Sequence, residues 1–406
     1  MASSILQALD IIATHITPLD KEILPIEMSV GRIVTEDTIA TFNLPRFNNS
    51  AMDGYAVKIA NSNQKVTCNE VIYAGDNPSM TLQANTAIKI MTGAPIPKGC
   101  EAIVPIENVQ IEKDGIVLPQ DIQENHFIRM AGEDIKKGNT FLYAGETINA
   151  YTIASLASQG ISHISVYREI KVAVFGTGDE LRPHYEKIED YQLYNSNSPM
   201  FLTRSKQLGC SVRFIRTSAD TIEALENSIK STLDADIIIT SGGVSVGDKD
   251  FTKEAFTNLG MQTLIDTIDI KPGRPTIIGK INQTIIVNLP GNPLASMVNY
   301  ELFVRAIIRK LSGSRAYYHN TISTTMQSDF SVRGGKYAVI LGSFDGQTFA
   351  PLRPQMPGMV SPMQKADGLI LITPKLKRLE KGSKVNMIPI KWECTSETQS
   401  TLFSLL

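Results

Sequence analysis

Short apolar strands alternate with helical segments between residues 171 and 311, and this alternation constrains the fold more than any other feature of the chain. The strand-like runs are KVAVF (171–175), SVRFIR (211–216), DIIIT (236–240), 275–280 and 284–289. Helical periodicity covers 198–208, 221–233, 251–259 and 293–311. Such alternation predicts a parallel or mixed sheet with crossover helices. Ligands of these sheets bind beyond the carboxyl ends of the strands.

The segments on either side have other patterns. From about residue 38 to 150, short apolar runs alternate with turn residues, which predicts a β-rich region. After Gly313 similar runs predict a small C-terminal β domain. Residues 3–16 predict an amphipathic helix capped by Ser3 or Ser4. A packing or dimer-contact helix is favoured over a membrane helix, because its polar face is not strongly basic.

The charge balance limits the partners. The 406 residues include 39 Lys and Arg against 41 Asp and Glu, for a formal charge of −2, so no overall field attracts nucleic acid or membrane. An anion must therefore be held by local groups.

The four cysteines are scattered and the five histidines lack metal-ligand spacing, so neither a disulfide framework nor a zinc site is expected. Without a signal-type start or a long apolar run, we expect a cytoplasmic protein.

The first loop at a strand end is GTGDE (176–180). Its two glycines allow a ligand to approach the backbone, but the third glycine of a dinucleotide fingerprint is missing. Asp179 and Glu180 would repel phosphate unless a cation lies between them, which suggests Mg²⁺. A plain turn with solvated acids is the alternative.

The second loop, SGGVSVGDKD (241–250), lies between a buried strand and a helix. Its N–H groups, together with the following helix N-terminus, can hold phosphate oxygens. Asp250 is placed to cap that helix, a role compatible with metal binding. A purely structural double-glycine turn remains an alternative.

Two further turns complete the predicted pocket. LPGNP (289–293) would form its third wall, although Asn292 as N-cap and Pro293 as first helical residue also fit a plain helix start. KPGRP (271–275) holds Lys271 and Arg274 on a rigid turn, which suits a small oxyanion. A solvated basic turn is the alternative there.

Polar turns also mark the N-terminal half, at 48–55, 91–95 and 132–134. They are typical of functional loops or of ordinary turns, and the residues alone do not decide between the two. No Ser/His/Asp or Cys/His arrangement stands out in the sequence, so covalent catalysis has little support.

These motifs resemble those of a known family. NNSAMDGYAV, IMTGAPIPKGCEAIVP, RMAGEDI, GTGDEL, TSGGVSVGDKDF, KPGRP and LPGNP occur in the order seen in MoeA-type molybdopterin molybdenumtransferases, which include the C-terminal domain of gephyrin and plant homologues. The resemblance covers nearly the whole chain. The SGGVS run is shared with smaller molybdopterin adenylyltransferases, whereas SAMDGYA with MTGAPIP is specific to the MoeA type.

The resemblance implies a reaction, partners and a domain plan. Molybdate is inserted into adenylylated molybdopterin, AMP is released, and Mg²⁺ is the cofactor. The active cleft is shared between the subunits of an elongated homodimer, and a molybdopterin adenylyltransferase is an expected partner. The implied fold is a multidomain α/β plus β protein with a central three-layer α/β molybdopterin-binding domain and a mixed sheet. The expected domains are 1–40 with 138–170, 41–137, 171–315 and 316–406.

By motif, the family's acidic and hydroxyl residues map onto five expected catalytic positions: Asp53, Thr92, Asp134, Glu180 and Asp250. Asp53, Glu180 and Asp250 are expected to hold Mg²⁺. The expected substrate-binding residues are Gly242, Gly243, Ser245, Asp220, Lys271, Arg274, Pro290, Gly291, Asn292, Pro293 and Ser361. Asp220 matches only with a one-residue gap.

Two positions depart from the family pattern. Asn48 stands where an aspartate is usual. Arg274 replaces the more common lysine, and its planar guanidinium, which prefers bidentate acceptors, differs from the compact ammonium of lysine. A molybdopterin-binding scaffold and a stand-alone adenylyltransferase are the competing functions. The extra β domains and the SAMDGYA loop argue against the adenylyltransferase.

Overall fold

A computed structural model describes residues 2–77, 79–178, 180–215, 221–243 and 251–391. Three expected site residues, Asp220, Ser245 and Asp250, lie outside this described part, as does the chain after Lys391. Cys68, Cys100 and Cys210, which are described, form no disulfide. No helix within the described ranges is long and apolar enough to cross a membrane.

The N-terminal region is built from many short strands and two helices. The helices are α1 (Ile5–His15) and α2 (Ala150–Ser158). The strands are β1 (Lys21–Pro25), β2 (Thr38–Ile39), β3 (Asn49–Ser50), β4 (Gly54–Val57), β5 (Lys65–Val66), β6 (Val71–Ile72), β7 (Ile88–Ile90), β8 (Ala102–Pro105), β9 (Gln110–Glu112), β10 (Gly115–Val117), β11 (Ile128–Arg129), β12 (Thr140–Leu142) and β13 (His163–Tyr167).

Strand pairing in this region joins residues that are far apart in sequence. β1 pairs antiparallel with β13, and β2 with β12. Between them, β6, β7, β4 and β8 form a four-stranded sheet, and β5, β10 and β9 a three-stranded one. The β-rich N-terminal region is therefore confirmed, whereas the expected division into domains, with a split first domain, stays a prediction.

The first helix begins where the sequence predicts. Ser4 caps α1: its hydroxyl accepts from the Gln7 backbone N–H at 3.2 Å, while the Gln7 side chain accepts from the Ser4 N–H at 2.8 Å. Ile5, Ala8 and Ile12 are buried in the core of the central domain. The helix therefore packs the N-terminus onto that domain.

The central domain contains a six-stranded mixed sheet between two layers of helices. The six strands of this sheet are β14 (Lys171–Gly176), β17 (Ser211–Phe214), β18 (Ile237–Ser241), β19 (Gln262–Ile265), β20 (Ile277–Ile281) and β21 (Thr284–Leu289), and a separate pair consists of β15 (Leu181–Arg182) and β16 (Leu193–Tyr194). The helices are α3 (Asn197–Gln207), α4 (Ile222–Lys230), α5 (Phe251–Asn258), α6 (Pro293–Asn299) and α7 (Arg305–Leu311), with a π-helical segment, Tyr300–Val304, between α6 and α7.

The sheet order is β17-β14-β18-β21-β20-β19. The first four strands are parallel, and β20 and β19 are antiparallel to their neighbours. One core lies on the face covered by α1, α3, α6 and α7, and a second lies under α4 and α5. The three-layer α/β domain with a mixed sheet is confirmed, and the carboxyl ends of β14, β18 and β21 meet at one edge.

The C-terminal region is a closed barrel with strand order β22-β25-β24-β26-β28. Its elements are β22 (Ile322–Met326), β23 (Phe330–Ser331), β24 (Ala338–Phe344), β25 (Thr348–Pro351), α8 (Ser361–Lys365), β26 (Gly368–Ile372), β27 (Arg378–Leu379) and β28 (Lys384–Pro389). β24 begins beside the KPGRP turn: the Lys271 N–H donates to the Tyr337 carbonyl and the Val339 N–H to the Lys271 carbonyl, both at 2.9 Å. The small C-terminal β domain is confirmed.

Candidate active site

A cavity of about 610 Å³ opens where β14, β18 and β21 end. This volume lies within the range of small-molecule sites. The loops predicted to form one pocket all reach it. The lining residues are Thr177, Gly178, Glu180, Leu181, Leu193, Tyr194, Asn195, Ser196, Asn197, Ser241, Gly242, Gly243, Pro275, Pro290, Gly291, Asn292, Pro293 and Gly358.

Backbone hydrogen bonds join the three strand ends. The Thr177 N–H donates to the Ser241 carbonyl at 3.0 Å, and the Gly242 N–H donates to the Leu289 carbonyl at 3.2 Å. Gly242 has a φ of +102°, and a Cβ there would lie 2.7 Å from the Thr177 carbonyl oxygen. A Cβ on Gly243 would overlap the Thr252 hydroxyl. Only glycine fits this turn, which brings backbone to the cavity wall.

The floor of the cavity is a network of buried polar groups. The Asn197 side-chain amide donates to the Ser241 hydroxyl and to the Gly291 carbonyl, each at 2.8 Å. The Ser241 hydroxyl donates to the Pro290 carbonyl at 3.1 Å, and the Ser296 hydroxyl donates to the same oxygen. The glycine turn and the LPGNP turn are therefore held at a fixed distance before any ligand binds.

Glu180 is the carboxylate that lines this cavity within the described residues. A Cβ on Gly178 would lie 2.8 and 2.9 Å from its two carboxylate oxygens, so the missing side chain of Gly178 leaves room for that carboxylate. An exposed carboxylate beside a glycine turn has the oxygen-donor chemistry that Mg²⁺ prefers. No group of three His, Cys, Asp or Glu side chains suited to a metal occurs among the residues described.

The LPGNP turn differs from expectation in one detail. Pro293 is the first residue of α6, as predicted, but the Asn292 side chain makes no capping hydrogen bond. Asn292 is exposed and lines the cavity, and a Cβ on Gly358 would lie 3.7 Å from its side-chain oxygen. The Asn292 amide is therefore available to a ligand.

A second cavity of about 600 Å³ adjoins the first through Pro275, Pro290 and Asn292, which line both. It contains Lys271 and Arg274 of the predicted clamp. It also contains Arg333 and Lys336, which were not predicted from the sequence. None of these four cations pairs with a carboxylate in the described part of the chain. Four unpaired cations favour an anion of high charge density.

The acids expected from the N-terminal half lie apart from both cavities. The Asp53 carboxylate accepts from the Thr92 backbone N–H and from the Thr92 hydroxyl, each at 2.7 Å. The pKa of Asp53 is held below its ordinary value, mainly by the hydrogen bond from the Thr92 backbone and next by the one from the Thr92 hydroxyl. Asp134 is exposed on a turn after Gly132, and Ser361 is the exposed first residue of α8. The structure thus brings Asp53 and Thr92 together but places none of these four in a cavity wall.

Sequence reasoning missed two sets of cavity residues. Asn195 and Asn197 lie at the start of α3, where the run YNSNS repeats an amide and a hydroxyl that could have indicated them. Arg333 and Lys336 carry no comparable signal, because about 60 residues separate them from the KPGRP turn.

Comparisons with known proteins cover the same regions. Family profiles match the chain as follows: "MoeA N-terminal region (domain I and II)" at residues 3–160, "Probable molybdopterin binding domain" at 173–310 and "MoeA C-terminal region (domain IV)" at 326–390. A molybdopterin molybdenumtransferase of Staphylococcus epidermidis is 32% identical over 375 residues, covering 89% of this chain and 90% of that protein. One from Haemophilus influenzae is 36% identical over 304 residues, covering 74% of this chain and 75% of that protein.

Solved structures agree with the sequence relatives. The crystal structure of a molybdopterin biosynthesis MoeA protein from Pyrococcus horikoshii superimposes with a TM-score of 0.83 at 26% identity, covering 97% of this chain and 100% of that one. A second structure of that kind from the same organism gives a TM-score of 0.84 at 24% identity, covering 95% of this chain and 99% of that one, which concerns the fold alone.

Proposed function

The chain belongs to the MoeA-type family of molybdopterin molybdenumtransferases, and from that premise we propose that it inserts molybdate into adenylylated molybdopterin and releases AMP, with Mg²⁺ bound. Molybdenum insertion in cofactor biosynthesis is the enzyme activity of the family, and relatives that are 32% and 36% identical carry its name. The adenylate, the AMP and the metal are the finer parts of the proposal.

The observation that carries the proposal is the pair of adjoining cavities. A phosphoanhydride bears negative charge on several oxygens, and the Gly242–Gly243 turn offers backbone at the wall of the first cavity. Molybdate is a small dianion, and the four cations of the second cavity suit it. Pro275, Pro290 and Asn292 lie between the two places, so one ligand can lie in the first cavity with its dithiolene end at the second.

Roles follow for the groups that line the cavities. Glu180, with Asp250, would hold Mg²⁺, whose charge polarises the phosphoanhydride when it is bound. Molybdate is held in place by the four cations of the second cavity, Lys271, Arg274, Arg333 and Lys336. Such orientation of a reactant lowers the entropic part of the activation barrier for molybdenum insertion. Asn197, Ser241, Pro290 and Gly291 keep the two turns in position.

Asp53 and Thr92 would reach the cleft from a second subunit. They lie outside the cavity walls, so in this proposal a second copy of the chain brings its own Asp53–Thr92 pair to the cleft. Asp134 and Ser361 would approach in the same way or from a closed form of the domains. A mass measurement by light scattering tests the dimer on which this assignment depends.

The reaction itself is tested by incubating the purified chain with adenylylated molybdopterin, molybdate and Mg²⁺. Equal amounts of AMP and active molybdenum cofactor are the expected products. Omitting molybdate should suppress AMP release. Glu180→Gln, which removes a negative charge at constant size, should retain the ligand and release AMP more slowly.

Other outcomes point to the other functions. Retention of molybdopterin without AMP release would contradict the proposal and favour a binding scaffold. Formation of adenylylated molybdopterin from ATP would identify an adenylyltransferase instead. The Tyr191→Leu variant is the matched control for Glu180→Gln, because Tyr191 belongs to the same loop, is 78% exposed and does not line the cavity.

A further inference from the structure

The loop between Gly178 and α3 returns to the first cavity at a fixed place. Its two short strands are parallel, with Leu181 beside Leu193 and Arg182 beside Tyr194. The Leu193 N–H donates to the Glu180 carbonyl, and the Asn195 N–H to the Arg182 carbonyl, both at 2.9 Å. The backbone of Leu193 and Tyr194 is therefore anchored at the cavity rather than carried on a free loop.

Large apolar surface is left uncovered there. Leu193 is 61% exposed and Tyr194 is 47% exposed, and both line the first cavity together with Leu181. The Tyr194 hydroxyl makes no hydrogen bond within the described residues. Covering an apolar side chain of this size contributes roughly 1.5–3 kcal/mol, so a flat apolar part of a ligand would bind here favourably.

The position of these side chains selects which part of the ligand they contact. Leu193 and Tyr194 line the first cavity but not the cationic second cavity, which adjoins it at Pro275, Pro290 and Asn292. With molybdate and the dithiolene at the cationic cavity, the pterin stays on that side, because it is fused to the ring that carries the dithiolene. The nucleoside lies beyond the phosphoanhydride, so with the phosphoanhydride at the glycine turn it is the part that extends into the rest of the first cavity.

We propose that Tyr194, with Leu181 and Leu193 beside it, forms the wall on which the adenine base of the adenylylated substrate stacks. The inference rests on the proposed function, and it makes Tyr194 a specificity-determining residue that binds the leaving nucleotide. Every purine presents an aromatic face, and stacking on tyrosine adds affinity without using a hydrogen bond.

The test measures AMP binding to the full-length chain by titration calorimetry. Tyr194→Leu removes the ring and keeps an apolar side chain, and it should weaken AMP binding about tenfold, the loss typical of one stacked base. Tyr194→Phe keeps the ring and should bind AMP as the unsubstituted chain does. The control Tyr191→Leu removes an exposed ring of the same loop that does not line the cavity, and it should change nothing.

A second measurement follows the base directly. Adenine ring protons should shift upfield in the NMR spectrum of AMP when the unsubstituted chain or Tyr194→Phe is added, and this shift should vanish with Tyr194→Leu. Molybdate titrated alone should bind all four proteins equally, because Tyr194 lies outside the cationic cavity. Equal molybdate binding also shows that the variants are folded.

The possible failures can be told apart. If the unsubstituted chain binds AMP and Tyr194→Leu binds it equally well, the aromatic wall is wrong and the proposed function stands. If Tyr194→Leu loses affinity for molybdopterin without its nucleotide but not for AMP, the wall holds the pterin and the base assignment is overturned. If the unsubstituted chain binds no AMP, the adenylate step of the proposed function fails, and the base wall fails with it.

Discussion

At the scale of single residues, the Lys271–Pro275 turn depends on Gly273. Its φ of +107° disfavours any side chain, and a Cβ there would overlap the buried Asn299 amide, which donates to the Ala295 carbonyl at 2.8 Å. Gly273→Ala should therefore lower the free energy of unfolding by about 3 kcal/mol, the sum of backbone strain and overpacking. Denaturant titration with calculation of the midpoint and slope measures this loss.

Gly335→Ala is the matched control for that variant. Gly335 lines the same cavity and has a φ of +96°, but no atom lies within 4 Å of the Cβ it would gain. Its loss should be limited to the backbone strain of roughly 1–2 kcal/mol. Equal losses in the two variants would show that the contact with Asn299 is unimportant.

His319 is a residue whose protonation should couple to stability. Its Nε2 lies 2.7 Å from the Leu302 carbonyl, so in the neutral ring Nε2–H donates and Nδ1 is unprotonated. Nδ1 is buried and has no hydrogen-bond partner among the residues that the structure describes. The pKa of His319 is lowered below 6.5, mainly because the ring is buried and in addition because the positive charges of Arg305 and Arg309 lie nearby. The folded chain therefore takes up this proton less readily than the unfolded chain.

The sign of the pH effect follows from that difference. As the pH falls below 6.5, the unfolded state gains a proton that the folded state does not, so stability decreases. We expect the melting temperature to fall between about pH 7.5 and about pH 5.5, and to fall less steeply in His319→Gln. Thermal melts of both proteins across this range would give parallel curves if His319 had no part in the effect.

At the scale of elements, the π-helical segment Tyr300–Val304 holds three parts of the chain together. Its Glu301 is 4% exposed and accepts from Arg204 of α3 at 2.6 and 3.1 Å. Arg204 also donates to the carbonyl of Ile390, just after the end of β28, at 3.1 Å. Arg305 donates to the carbonyl of Pro389, the last residue of β28, at 2.9 Å. Glu301 thus balances two guanidinium groups at the junction of the central and C-terminal domains.

Glu301→Leu should leave those guanidinium groups without a counter-charge. Removing one partner of a buried pair typically costs about 3–5 kcal/mol, and the partial exposure of Arg204 places the expected loss near the lower end. Arg204→Leu introduced into Glu301→Leu should then cost less than it does alone. Unfolding free energies of the four proteins give the coupling energy, and purely additive losses would contradict this pairing.

Prediction from sequence succeeded where the information is local. Strand and helix alternation gave the central domain, and a serine at residue 3 or 4 gave the start of α1, which Ser4 caps. The π-helical segment was not predicted, since residues 293–311 were expected to form one regular α-helix. Glu301 and Tyr300 of this segment contact α3, and sequence periodicity contains no information about such contacts.

The same reason explains what was missed at the site. The glycine turns are local, because their conformations exclude other residues, and the sequence therefore identifies them. Arg333 and Lys336 reach the KPGRP turn only because β24 begins beside it, through the hydrogen bonds of Lys271 with Tyr337 and Val339. The residues that form a contact between two domains follow no periodic pattern or fixed spacing in the sequence, so a single sequence does not predict that contact.

At the scale of the whole molecule, the cationic cavity lies between the central and C-terminal domains, each of which supplies two of its four cations. A dianion bound there would be attracted to both domains at once. Because it binds the assembled form in preference to the unfolded chain, molybdate should raise stability, by about 2.7 kcal/mol at a concentration one hundred times its dissociation constant. Binding of molybdate at this site would therefore couple to assembly of the two domains.

That coupling predicts equal importance for cations from the two domains. Lys271→Met and Lys336→Met should each weaken molybdate binding about tenfold, since a hydrogen bond to a charged group contributes roughly 1.5–3 kcal/mol. Lys384→Met is the control, because Lys384 is an exposed cation of β28 that does not line the cavity. Thermal melts at increasing molybdate concentration should show a smaller rise for the first two variants and an unchanged rise for the control. If only Lys271→Met loses the rise, the site belongs to the central domain alone and the coupling between the domains is wrong.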